Sequence, residues 1–212
     1  ALLPEAKDYK RIGEGDTGLN TGGMGAVSPV PFFDEALRER TVREIIAPTI
    51  QGLVKDNLPY QGFVFFGLIN TTKGPKVIEY NVRMGDPETE VVIPRLETDI
   101  IDLFVAMHDG TLEEINVAVN PLTAATVMAV SGGYPGSYEK GKAIRGLRDF
   151  ECTTVYHAGT KSGEEITTSG GRVMAFTSFG ADKDEALAKS YAALKEVSYE
   201  GMNYRTDIGF DL

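Results

Sequence analysis

The chain is organised around Lys76-Val77-Ile78-Glu79-Tyr80-Asn81-Val82-Arg83-Met84-Gly85-Asp86-Pro87-Glu88. The first half of this stretch is rich in β-branched and aromatic residues, and it follows the turn residues Lys73-Gly74-Pro75, so the sequence predicts a strand. Side chains alternate along a strand, which places Glu79, Asn81 and Arg83 on one face at a spacing of roughly 6.5 Å between Cα atoms. The apolar run from Tyr60 to Asn70 predicts the antiparallel partner of this strand.

These three polar residues are suited to metal and anion binding. A carboxylate from Glu79 and an amide oxygen from Asn81 are hard ligands of the kind that Mg²⁺ takes, usually together with nucleotide phosphates. Arg83 offers a bidentate fork for an anionic substrate oxygen. The same pattern is also typical of the solvated face of an amphipathic hairpin, and spacing alone leaves this alternative open.

The order of residues adds more specific information. From Val77 to Thr89 the chain resembles the end of an ATP-grasp active site, in particular that of the phosphoribosylamine–glycine ligase family. Further blocks follow the family's order, and the resemblance extends from Leu3 to Gly209. These blocks are Asp8-Tyr9-Lys10-Arg11, Gly15-Asp16-Thr17-Gly18-Leu19-Asn20-Thr21-Gly22-Gly23-Met24-Gly25-Ala26, Gly132-Gly133-Tyr134-Pro135-Gly136, His157-Ala158-Gly159-Thr160 and Gly170-Gly171-Arg172-Val173.

The resemblance implies an α+β fold in two parts. Residues 1–115 are expected to form the C-terminal part of an ATP-grasp catalytic domain, an antiparallel sheet with helices. Residues 116–212 are expected to form a small C-terminal β-rich domain with one helix. The family carries a substantial upstream region, so the resemblance also implies a C-terminal fragment that needs the missing N-terminal portion of the same enzyme and is inactive alone.

The resemblance further implies an ATP-dependent carbon–nitrogen ligase of de novo purine biosynthesis. Its substrates are ATP, glycine and 5-phosphoribosylamine, its product is glycinamide ribonucleotide, and the reaction passes through a glycyl phosphate. Mg²⁺ or Mn²⁺ is expected at Glu79 and Asn81, Arg83 is expected to act in catalysis, and Asp86 to hold an ammonium or a ribose hydroxyl. The residues expected to line the substrate side are Asp16, Asn20, Thr21, Gly22 and Gly23. Two alternatives are another ATP-grasp carboxylate–amine ligase and a non-catalytic binding module that retains the fold.

Composition narrows the class of protein. A net charge of −10, without a cluster of Lys and Arg, argues against a nucleic-acid partner. No apolar run approaches the length of a membrane span. The single cysteine, Cys152, allows no intramolecular disulfide and favours a cytoplasmic location.

Three expectations concern local structure. The glycine-rich run from Gly13 to Gly25 is expected to form neither helix nor strand, because glycine loses the most conformational freedom on ordering. A helix capped by Asp34 and running to Asn57 should be kinked or divided at Pro48. The helix from Ile100 to Met107 is apolar nearly all round and should be buried.

Overall fold

The computed structural model describes residues 1–212 and contains helices and antiparallel strands, which confirms the α+β fold class. The strands are β1 (Lys7–Asp8), β2 (Arg11–Gly13), β3 (Thr17–Asn20), β4 (Gly25–Ser28), β5 (Phe65–Thr71), β6 (Gly74–Asn81), β7 (Thr123–Val130), β8 (Thr153–His157), β9 (Thr160–Lys161), β10 (Thr167–Thr168) and β11 (Arg172–Gly180). The helices are α1 (Glu35–Thr41), α2 (Ala47–Lys55), α3 (Thr89–Val92), α4 (Ile100–Asp109) and α5 (Lys183–Glu196), and short 3-10 turns lie at Glu14–Asp16, Ile93–Arg95 and Leu112–Glu114. No helix combines the length and the apolar character needed to cross a membrane.

The chain forms two compact units that interleave in sequence. Unit one comprises Val30–Gly85 and Asp99–Asn116, together with Ala1. Unit two comprises Leu2–Pro29, Asp86–Thr98 and Val117–Leu212. The domain boundary predicted between residues 115 and 116 stays a prediction.

Unit one contains the hairpin predicted around the central stretch. Strands β5 and β6 pair antiparallel from Phe65 opposite Asn81 to Thr71 opposite Gly74, with a bulge between Gly67 and Leu68. The pairing of an apolar strand with the strand that carries Glu79 is therefore confirmed.

The long helix of unit one changes its hydrogen-bonding register before Pro48. A π-helical turn at Val42–Ile46 separates α1 from α2, and the Ala47 N–H donates to the Val42 carbonyl. Pro48 then lies in the first turn of α2, two residues after the wider turn ends. The helix is therefore irregular close to the proline, as predicted, but the irregularity is a wider turn that lies before Pro48, and the chain stays helical through the proline.

Unit one exposes many apolar side chains. In α4 only Leu103 and Ala106 are buried, while Ile101 and Val105 are each more than half exposed. The expectation that this helix is buried was wrong, because an apolar sequence predicts burial only where other elements of the fold cover it.

Unit two is built on a five-stranded antiparallel sheet in the order β1-β4-β7-β11-β8. The near-continuous apolar sequence of β7 and β11 buries both strands, and α5 packs against them. Asp182 caps α5 by accepting from the Glu185 N–H at 2.9 Å. The sheet thus combines strands from the first 28 residues with strands that follow Val117.

The glycine-rich run is more regular than its composition predicts. Strands β2 and β3 form a hairpin with Arg11 opposite Asn20, and β4 follows in the main sheet. In the turn of this hairpin, Gly15 has φ 59° and its N–H donates to Asp207 at 2.6 Å. The expectation of no strand here was wrong, because partners from the end of the chain supply hydrogen bonds that offset the ordering entropy of glycine.

Candidate active site

The two predicted metal ligands lie side by side at the end of β6. The Asn81 Nδ2 donates to the Glu79 Oε1 at 3.1 Å, which shows that alternation along the strand brings the two side chains together. Glu79 is exposed and Asn81 is half-buried. The two side chains are therefore adjacent and accessible from solvent.

A glycine opposite this pair leaves space for the carboxylate. Gly67 of β5 pairs with Glu79, and a Cβ built on Gly67 would lie 2.8 Å from the Glu79 Cγ. Any larger residue at position 67 would push the Glu79 side chain aside. Sequence reasoning missed this residue, although a lone glycine in the apolar run Phe65-Phe66-Gly67-Leu68 is a signal of close approach.

Arg83 lies outside the strand. Strand β6 ends at Asn81, and the Arg83 Nη1 donates to the carbonyl of Met84 at 2.8 Å. The expectation that strand alternation places Arg83 beside the other two side chains therefore does not hold. Its exposed guanidinium keeps further donors for an anion.

The two oxygen ligands that Glu79 and Asn81 offer suit a hard cation only if a bound molecule, such as a nucleotide, supplies further oxygens. No group of three or more His, Cys, Asp or Glu side chains forms a metal site in the chain. One carboxylate and one amide oxygen match the way in which Mg²⁺ is held by few protein groups plus phosphates. Because the amide nitrogen of Asn81 now faces Glu79, metal binding would require the amide to turn so that its oxygen faces the cation.

In unit two, two motif blocks that lie far apart in sequence meet. A Cβ on Gly23 would lie 2.2 Å from the Cδ of Pro87, so the Gly22-Gly23 turn packs directly on the Asp86-Pro87 peptide. Gly23 has φ 127°, a value that favours glycine. The structure thus brings Gly22, Gly23 and Asp86 together, as expected for residues of one site.

Two residues from the second half of the chain hold this turn. The Gly22 N–H donates to the Tyr134 hydroxyl at 2.8 Å, and Arg172 pairs with the Asp86 carboxylate at 2.9 Å. The Gly23 N–H donates to Thr21 Oγ1 at 2.9 Å. These N–H groups are satisfied within unit two, so the turn does not form an open cradle for an anion.

Asp16 has a structural partner. The Asp16 Oδ1 accepts from the Arg205 Nη1 at 2.7 Å, and Arg205 is only 1% exposed and also pairs with Asp207. Asn20 lies on the exposed strand β3 of the same hairpin. Asp16 therefore anchors the hairpin, and its predicted contact with substrate stays a proposal.

Two carboxyl groups beside Asp86 have unusual electrostatics. Burial, followed by the nearby charge of Asp86, raises the pKa of Glu90 to about 7. Burial and the charge of Asp8 raise the pKa of Glu88, which is 6% exposed. Glu88 and Glu90 each have one buried carboxylate oxygen without a hydrogen-bond partner. Part of the negative charge around Asp86 is therefore suppressed near neutral pH.

Comparison with known proteins decides the family. Residues 1–89 match the family model of the phosphoribosylglycinamide synthetase ATP-grasp (A) domain, and residues 124–211 match that of its C domain. The chain belongs to the phosphoribosylamine–glycine ligase family. A member from Rhizobium meliloti is 47% identical over 210 residues, which cover 98% of this chain and 50% of the relative.

Solved structures agree with this family and with the fold. The phosphoribosylamine–glycine ligase of Thermotoga maritima superposes with a TM-score of 0.86 at 34% identity, covering 97% of this chain and 51% of that one. A biotin carboxylase domain from Hydrogenobacter thermophilus, solved with MgADP and bicarbonate, shares the fold at a TM-score of 0.60 and 16% identity, covering 85% of this chain and 40% of that one. The chain spans about half the length of the family members that it matches.

Proposed function

We propose that this chain contributes the metal and substrate residues of an ATP-dependent ligase that joins glycine to 5-phosphoribosylamine in purine biosynthesis. The observation that carries the proposal is the contact between Glu79 and Asn81, which lie side by side and accessible on β6 with a glycine opposite Glu79, in a member of this ligase family. Membership of the family supports the choice of substrates, and the geometry on β6 supports the assignment of Glu79 and Asn81 as metal-binding residues.

The reaction proceeds in two transfers. A carboxylate oxygen of glycine attacks the γ-phosphorus of ATP, which gives glycyl phosphate and ADP. The amine nitrogen of phosphoribosylamine then attacks the carbonyl carbon, phosphate leaves, and the nitrogen loses a proton as the amide forms. Both steps develop negative charge on phosphate oxygens, so catalysis depends on positioning and on charge neutralisation.

Each predicted residue has a role in this scheme. Glu79 and Asn81 would hold Mg²⁺ or Mn²⁺, which neutralises phosphate charge when bound. Arg83, with donors beyond its bond to the Met84 carbonyl, stabilises the transferred phosphoryl group or holds a substrate anion. Asp86 binds a cationic or hydroxyl group of substrate.

The substrate residues complete the proposal. The Gly22-Gly23 turn, packed against the Asp86-Pro87 peptide, forms a wall of the substrate side. Thr21 supports this wall through its bond to the Gly23 N–H. Asn20 and Asp16, both exposed on the hairpin, are proposed to contact substrate from there. Because the proposed substrates are metabolites of the cell interior, we place the reaction in the cytoplasm.

The test uses a completed ligase, in which this chain replaces the matching half of the Rhizobium meliloti relative. We expect sustained, multiple-turnover ADP release that requires both glycine and phosphoribosylamine, with glycinamide ribonucleotide as the product identified by mass spectrometry. ADP release with a different carboxylate and amine, and none with this pair, would favour another carboxylate–amine ligase. A completed ligase that binds Mg-ATP without any turnover would favour a binding module.

A further inference from the structure

The peptide groups around Gly22 are held from two directions. The hydroxyl of Tyr134 accepts from the Gly22 N–H at 2.8 Å, and the Nη1 of Arg172 donates to the Gly22 carbonyl at 3.1 Å. These partners lie 112 and 150 residues further along the chain. The conformation of the turn therefore depends on Tyr134, which follows β7, and on Arg172, the first residue of β11.

The glycines of the surrounding motifs make these contacts possible. A Cβ on Gly22 would lie 2.9 Å from the guanidinium carbon of Arg172, and a Cβ on Gly171 would lie 2.3 Å from the Tyr134 ring. The backbone segments at Gly159 and Gly170 also approach closely, and a Cβ on Gly159 would lie 2.6 Å from the Gly170 Cα. The glycines of these blocks thus leave room for Tyr134 and Arg172 to reach the turn.

Arg172 also fixes Asp86. Its Nη1 donates to the Asp86 carbonyl at 2.8 Å and pairs with the Asp86 Oδ1 at 2.9 Å. The Arg172 side chain is 19% exposed, whereas that of Asp86 is 48% exposed. One carboxylate oxygen is therefore restrained by a largely buried guanidinium, and the other stays open to a ligand. An open carboxylate oxygen binds an ammonium through a charge-assisted hydrogen bond, which is stronger than a bond to a hydroxyl.

We propose that Tyr134 and Arg172 are positioning residues that hold the Gly22-Gly23 turn and the Asp86 carboxylate in place for the ammonium group of glycine. Both residues act through the groups that they restrain. The proposal rests on the function proposed above for Asp86, and the substrate that it concerns is the amino acid. The KM for ATP should therefore be insensitive to changes at either residue.

The first arm of the test needs no enzymatic activity. In the 212-residue chain, hydrogen exchange at the Gly22 amide should become about five- to tenfold faster in Tyr134→Phe, which removes the accepting hydroxyl. Tyr138→Phe is the matched control, because Tyr138 packs edge-on to Tyr134 with ring centroids 6.3 Å apart. Unchanged exchange at Gly22 in Tyr134→Phe would overturn the proposal.

The second arm uses the completed ligase. Arg172→Gln should raise the KM for glycine about tenfold or more while kcat falls less than threefold, and Arg172→Lys should recover part of this loss. Arg145→Gln, which removes an exposed arginine paired with Glu165, should change neither parameter. Equal increases in the KM for glycine and the KM for ATP would contradict a positioning role, and so would a change in kcat alone.

A double-substitution cycle separates positioning from general damage. Gly22→Ala displaces the Arg172 guanidinium, so its effect on the KM for glycine should be smaller in an Arg172→Gln background than alone. Fully additive effects would contradict the proposal. Absence of turnover in the unsubstituted completed ligase would instead refute the proposed function, and the exchange data would still decide whether Tyr134 holds the turn.

Discussion

Glu90→Gln should stabilise the protein at alkaline pH and leave its stability nearly unchanged at acid pH. Burial raises the pKa of Glu90 to about 7 from an ordinary value of 4.5, and the neighbouring charges are Asp86 and Glu88, which raise the pKa, and Arg172, which lowers it. The folded protein thus holds the proton more tightly than the unfolded chain does. Ionisation of this side chain destabilises the fold.

The sign and the size of this effect follow from the two pKa values. Below about pH 4.5 Glu90 is protonated in both states and contributes no penalty. Between pH 4.5 and 7 only the unfolded chain ionises, so stability falls as pH rises, and the penalty is complete above pH 7. The difference between the two pKa values corresponds to a destabilisation of about 3 kcal/mol by ionised Glu90. We reduce this figure to about 1–2 kcal/mol, because the side chain is partly exposed and screened by solvent.

The assay is urea unfolding of the 212-residue chain at several pH values, followed by circular dichroism at 222 nm. The difference in unfolding free energy between Glu90→Gln and wild type should grow by about 1–2 kcal/mol from pH 4.5 to pH 8. Any constant effect of the substitution cancels in this comparison. Glu164→Gln, at an exposed glutamate, is the control. A difference that does not change with pH would refute the reasoning about buried charge.

Three further predictions follow from the contacts. Gly67→Val should lower the ligation rate of the completed ligase at least tenfold and raise the Mg²⁺ concentration that it requires, because the new side chain displaces Glu79. A titration of the rate against Mg²⁺ tests this, and a wild-type titration curve would contradict it. Arg205→Met should destabilise the 212-residue chain by about 2 kcal/mol in urea unfolding, because it removes the charged hydrogen bonds that the buried guanidinium makes to Asp16 and Asp207. A loss below about 0.5 kcal/mol would contradict this. Gly52→Ala should stabilise the chain by about 0.5–1 kcal/mol, because Gly52 lies within α2 with no atom near its missing Cβ, and a loss of stability would show that this helix is not formed as described.

Local patterns predicted the local parts of the structure. Alternation along residues 76–81, together with a turn before them, was enough to predict the hairpin and the contact between Glu79 and Asn81. The cap at Asp34 and the interruption near Pro48 also depend only on neighbouring residues. Each of these features is determined within about ten residues of sequence, so a single sequence contains the necessary information.

Long-range contacts account for what the sequence did not predict. The hairpin β2–β3 depends on Asp207, whose contact with Gly15 spans 192 residues. The roles of Tyr134 and Arg172 likewise depend on contacts across more than 100 residues, although the glycine-rich blocks that contain them were visible as motifs. A single sequence gives no measure of such distances, so these residues could be noticed but not placed.

The most direct measurement compares two substitutions on β6 in the completed ligase. Glu79→Gln keeps the shape of the side chain and one oxygen but loses the anion that would face Mg²⁺, whereas Lys76→Gln changes a charge on the same strand, opposite Ile69 and nearer the turn. Glycinamide ribonucleotide formation with saturating Mg-ATP should fall by orders of magnitude in Glu79→Gln and stay near the wild-type rate in Lys76→Gln. Equal rates for wild type and Glu79→Gln would contradict the account, and would indicate that this face of the strand is the ordinary solvated face of a hairpin.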